Sequence, residues 1–165
     1  MSLSNRFLTI AVFLLAIFSY SSAMAQKTCW DSFEWGTKET SFVKPQWAKT
    51  IIPKSMTVYV EVEEIKGGQI RRRYTFVDGE LAEFMMSVYS ISLPQERLRY
   101  FVWNPCYEKL GQPVEELSDL IYWDGQKVES MVTGGIKDGM YWISATHNKH
   151  LSLILTSVAY IPKIF

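Results

Sequence analysis

Residues 56–77 read MTVYVEVEEIKGGQIRRRYTFV, and the fold turns on how this stretch pairs with itself. Val58, Val60 and Val62 alternate with Thr57, Tyr59, Glu61 and Glu63, the two-residue period of a strand whose faces meet different surroundings. Gly67-Gly68 is a two-residue hairpin signal, after which Gln69–Val77 returns. With the glycines as the loop, Glu64 faces Arg71 and Glu63 faces Arg72, opposite-charge pairs that favour this register. The same register sets Val60 against Thr75, Val58 against Val77 and Arg73 against Val62, so one arginine falls on an otherwise apolar face. Such an arginine reaches the rim, pairs with an acid or marks a site, and the rim is the expectation.

Asp78-Gly79 predicts a second hairpin, with a third strand from Glu80 that brings Ala82, Phe84, Met86 and Val88 onto the valine face. A helix competes over 80–92, because Leu81, Phe84, Met85 and Val88 also follow i, i+3, i+4, i+7 spacing. The composition SVYSIS at 87–92 favours the strand.

Farther along, Leu98–Trp103 (LRYFVW) reads as a strand stopped by Asn104-Pro105. Pro113–Ile121 (PVEELSDLI) reads as a helix, with proline at its start and Glu115 and Glu116 in its first turn. Asp124-Gly125, Gly134-Gly135 and Asp138-Gly139 read as turns, and Tyr141–His147 with Leu151–Ile161 as a terminal hairpin. Residues 26–54 read as irregular structure with one helical turn near Pro45–Lys49, their aromatics covering one end of the core. The sum is a mainly β fold, an antiparallel sandwich or barrel of about six to eight strands with one or two short helices.

The leading residues set a compartment. Arg6, the apolar run Phe7–Ser19 and the small-x-small Ala23-Met24-Ala25 form the pattern of a secretory signal peptide over 1–25, cut before Gln26. The remaining 140 of 165 residues are expected to form a single domain, 26–165, without stable membrane insertion. Removing the leader takes away only Arg6, so Lys plus Arg falls from 17 to 16 against 17 Asp plus Glu, a net charge of −1. That balance argues against nucleic-acid partners, whose affinity draws on excess positive charge. In an oxidising compartment Cys29 and Cys106 are expected to pair, closing a loop worth about 4 to 5 kcal/mol of unfolded-chain entropy in the simple model. The sequence has no Asn-x-Ser/Thr, which fits a bacterial periplasm better than a eukaryotic secretory route.

The residues that carry chemistry are sparse. His147 and His150, the only histidines, face each other at the mouth of the expected terminal hairpin; two ligands alone make at most an adventitious metal pair, not a catalytic site, and ordinary exposed turn histidines are the expectation. There is no G-x-S-x-G elbow and no phosphate cradle, Cys-His catalysis conflicts with a disulfide, and the arginines opposite account for the glutamates of 61–64. The sequence therefore points away from an enzyme and implies no cofactor. Six tryptophans suit core, a protein interface or sugar platforms, and alternation puts Trp142 on the face opposite Tyr141 and Ile143. The leading expectation is an exported protein-binding module, of the inhibitor or immunity kind, that occludes a partner. Arg73, Trp142, Asp138 and Gly139 are its expected contacts. A carbohydrate- or small-ligand-binding β domain is the alternative, and a secreted hydrolase the third.

Overall fold

The computed structural model describes residues 28, 30, 33–52 and 55–157. The leader, its cleavage site and Cys29 lie outside them. Among the described residues eight antiparallel strands form one sheet: β1 (Ala48–Ile52), β2 (Met56–Ile65), β3 (Gly68–Val77), β4 (Glu80–Ser90), β5 (Glu115–Glu116), β6 (Leu120–Trp123), β7 (Ser130–Lys137) and β8 (Met140–His147). Their order across the sheet is β1-β2-β3-β4-β8-β7-β6-β5, so two meanders meet where β8 pairs with β4. Three helices accompany them: α1 (Glu39–Phe42), α2 (Gln95–Leu110) and α3 (Leu151–Ser157).

The β2–β3 hairpin forms, with the register moved by two residues. Its turn is Lys66-Gly67, closed by Ile65 opposite Gly68, and Glu61 rather than Glu63 lies opposite Arg72. Each glycine has its own reason: Gly67 holds φ +67°, and a Cβ on Gly68 would stand 1.9 Å from the Tyr89 carbonyl oxygen. A shift of two preserves the faces, so Arg73 stays with the valines, now opposite Val60.

At Asp78-Gly79 both residues have positive φ and the expected hairpin forms, leading into a strand over 80–90 and not a helix. A bulge between Thr75 and Phe76 then changes the pairing to Thr75 with Glu83 and Tyr74 with Phe84. One extra residue flips all that follows. Phe84, Met86 and Val88 therefore join the face of Tyr74 and Ile70, not the valine face expected for them, while Glu83 lands beside Arg73.

Other expectations are corrected. Leu98–Trp103 is not a strand: it lies inside α2, where Leu98, Val102 and Cys106 recur at four-residue spacing and are buried together with Trp103. Glu96 in the first turn and Lys109 in the last suit the helix dipole, a signal spread over 16 residues that a six-residue window misses. Pro113–Ile121 is not a helix: Glu115 and Glu116 pair with Tyr122 and Ile121, because alternation at Ile121 and Trp123 buries both against the core. Gly134-Gly135 is no turn but the middle of β7, where side chains would collide with Trp103 and Trp142. Leu151–Ser157 is helical rather than a strand, and 158–161 lie outside the described residues. The helical turn is α1, not Pro45–Lys49, and β1 occupies 48–52.

The sheet buries side chains on both faces. The first face carries the larger core, in which α2 packs against β4 and β8 and Phe33, Trp35 and Trp47 cover one end, as their composition suggested. On the second face α3 places Ile154 over Ile52, Met56, Val58, Val77 and Ala82.

Candidate functional site: a groove between the N-terminal segment and helix α2

The first face is not fully covered. Between the N-terminal segment and α2 lies an aromatic cleft of ≈ 630 Å³, walled by Trp30, Phe42, Trp47, Phe84 and Phe101. Beside it, along α2, lies an apolar cleft of ≈ 690 Å³ walled by Ile65, Ile70, Leu93, Leu98, Tyr100 and Phe101. Arg72 and Phe101 line both, so the clefts join into one groove.

Local structure builds each wall. Pro45-Gln46 turns the chain over the sheet, with the Trp47 amide donating to the Lys44 carbonyl at 3.1 Å. The turn lays the Trp47 indole parallel to the Tyr74 ring, centroids 4.8 Å apart. Phe42 meets both rings edge-on. On the opposite wall, Pro105 inside α2 has no N–H to give the Phe101 carbonyl, which lacks its usual helical donor. Tyr100 and Phe101 point outward from α2, 66% and 45% exposed. The Nε1 donors of Trp30 and Trp47 have no hydrogen-bond partner among the described residues.

Charge concentrates at the waist. The Arg72 guanidinium lies 3.3 Å from Glu61 and 2.9 Å from Glu63, and Lys44 approaches Glu61 at 3.6 Å. Burial, with the Glu61 carboxylate alongside, pushes the Tyr74 phenol well above its ordinary pKa, which keeps it a hydrogen-bond donor. The arrangement can bind apolar and aromatic groups along its walls and a charged or polar group at Arg72.

The residues expected from sequence do not gather here. Arg73 stays off the rim. It is 8% exposed on the second face, and its Nη2 donates to both Glu83 carboxylate oxygens at 3.1 Å. Thr75 Oγ1 donates to the same carboxylate at 2.6 Å. Trp142, half-buried on that face, lies across Gly135 and accepts through its carbonyl from Trp103 Nε1 at 2.9 Å. Asp138 and Gly139 form the exposed tip of the β7–β8 hairpin.

His147 and His150 do come together, ring centroids 5.9 Å apart, through a 3-10 turn at Asn148–His150 rather than a hairpin. Burial holds both below the ordinary histidine pKa, and Trp35 stacks on His147. Among the described residues no group of three or more His, Cys, Asp or Glu converges as a metal site, and no helix is long and apolar enough to cross a membrane. Cys106 is buried on α2, and its proposed pairing with Cys29 falls outside the described residues.

Sequence reading misses the groove because its walls come from segments 30–47, 61–74, 84–88 and 93–105, and because 98–103 reads locally as a strand. The outward Tyr100-Phe101 pair was the available signal, visible only once 95–110 is helical. Comparison with protein-family models, with curated proteins and with solved structures finds no match for this chain.

Proposed function

We propose that the protein is an exported, non-enzymatic binding module that occludes a segment of another protein in the groove between the N-terminal segment and α2. The observation that carries this reading is the joining of two clefts at Arg72 and Phe101, with two aromatic side chains exposed on the wall. Exposed aromatics beside a pre-formed apolar depression are the usual anchors of protein recognition. The leader motif and the cysteine pair, proposed as a disulfide, support a periplasmic or secreted location.

A photo-crosslinking amino acid at Phe101, with Asp138 as the control position, tests the groove in exporting cells. One discrete protein adduct from position 101, lost with Tyr100→Ser, is the expected result. Adducts from 138 but not 101 would move the surface to the β7–β8 tip. A small ligand is a second reading, favoured by the aromatic cleft and by the Trp30 and Trp47 donors. Under that reading tryptophan fluorescence shifts on adding a sugar or other small molecule, and the adduct does not form.

A further inference from the structure

The groove has an unfinished edge. β1 pairs with only the first half of β2, Ala48 opposite Val60 through Ile52 opposite Met56. Upstream of Ala48 the chain leaves the sheet at Trp47, so among the described residues no strand lies beside Glu61–Ile65. The hairpin geometry says which backbone groups this leaves outward. A two-residue connection makes Ile65 and Gly68 a hydrogen-bonded pair, as are Glu63 with Ile70 and Glu61 with Arg72 by alternation. The N–H and C=O of Val62 and Glu64 therefore point away from β3, and neither makes a loop or turn bond among the described residues. The same alternation supplies β1 with the groups of Val60, Val58 and Met56.

We infer that β2 accepts an extended, basic segment of a partner protein as an added antiparallel strand along Glu61–Ile65, in line with β1. The inference rests on the groove reading and names the chemistry of its occupant. Charge is the first reason: Arg72 and Lys44 already hold Glu61, and Arg72 holds Glu63, but Glu64 is exposed with no ion pair among the described residues, and a basic side chain on an added strand beside it makes a favourable cross-strand pair. A second copy of this edge would set glutamates against glutamates and is disfavoured by the same rule. The second reason is alternation. Alternate side chains of the added strand, the apolar ones, project on the Glu63 face towards the apolar cleft, which Glu63 and Ile65 themselves line, while the basic ones lie on the other face beside exposed Val62 and Glu64. The occupant is thus a strand with apolar anchors and flanking lysines or arginines.

Amide hydrogen exchange on the intact protein provides the test. The probes are eight-residue peptides alternating lysine with valine or phenylalanine, and counterparts with glutamate in place of lysine. The basic peptides are expected to slow exchange at Val62 and Glu64 at least tenfold, and the acidic ones to leave it unchanged. Val62→Pro removes one outward donor without touching the β2–β3 ladder, and it should weaken the basic peptide at least tenfold while thermal stability changes little. Glu63→Lys with Glu64→Lys should reverse the charge preference. Three results would overturn the inference: binding that ignores Val62→Pro and leaves both amides unprotected, no binding by any basic peptide, or slow exchange without peptide that scales with protein concentration. The first of these, if Phe101→Asp still abolishes binding, keeps the groove and removes only the added strand. If peptide protects both amides but Phe101→Asp has no effect, the strand stands and the groove reading fails.

Discussion

Replacing Glu83 with glutamine should cost this fold more than any other isosteric change on the sheet. The Glu83 side chain is only 6% exposed and that of Arg73 10%, and the carboxylate accepts both Nη2 contacts of Arg73. Glutamine keeps the shape and an acceptor for Thr75, yet it leaves a guanidinium charge buried without its counter-ion. Removing one partner of a buried pair costs about 3 to 5 kcal/mol, far above the roughly 0 to 1 kcal/mol of an exposed bridge. For a domain of this size that is a fall in Tm of about 10 to 17 °C. Urea unfolding checks it, through a lower midpoint at unchanged slope. The triple variant Arg73→Met/Thr75→Val/Glu83→Leu removes the charges and the hydroxyl that depends on them, and it should return to within about 1 kcal/mol of the parent. A cost below about 1 kcal/mol for Glu83→Gln, or a triple variant as damaged as the single, would refute the claim that desolvation dominates at this pair.

Three further outcomes are expected. The folded-state pKa values of His147 and His150 are depressed by burial, so below about pH 6.5 the unfolded chain binds more protons than the native one, and stability falls with pH until the folded pKa values are passed. Melts between pH 8 and 5 should show this slope, and His147→Gln/His150→Gln should flatten it; a Tm that rises on acidification over that range contradicts the sign. Gly68→Ala should cost more than Gly79→Ala, because the first meets the Tyr89 carbonyl at 1.9 Å whereas the second has open space and only a φ of +75° to satisfy, about 1 kcal/mol. Equal unfolding midpoints for the two would contradict the contact argument. If Cys29 and Cys106 are joined after export, non-reducing mass spectrometry finds no alkylatable thiol, and Cys106→Ser lowers stability by about 4 to 5 kcal/mol; two labelled thiols remove that proposal.

How much was legible follows from range. The hairpins at 56–77 and 77–80 were visible because alternation and glycine turns are properties of neighbouring residues. The strand at 80–90 was preferred correctly over its helical rival. Helix α2 was not seen, because its decisive period needs 16 residues and Pro105 looked like a stop. Gly134 and Gly135 resembled a turn, while their real reason, space for two indoles, comes from α2 and β8.

Residues close in the chain are enough to specify that it alternates into antiparallel strands, turns at Asp78-Gly79 and Asp138-Gly139, and buries its N-terminal aromatics. These depend on local dihedral preference and side-chain period, which act within a few residues. Tertiary structure alone decided which face each strand shows after the bulge at Thr75-Phe76, that Arg73 meets Glu83, and that a groove joins at Arg72 and Phe101. A one-residue slip leaves the local pattern intact while inverting every later side chain, so only packing against the rest of the sheet selects between the two arrangements.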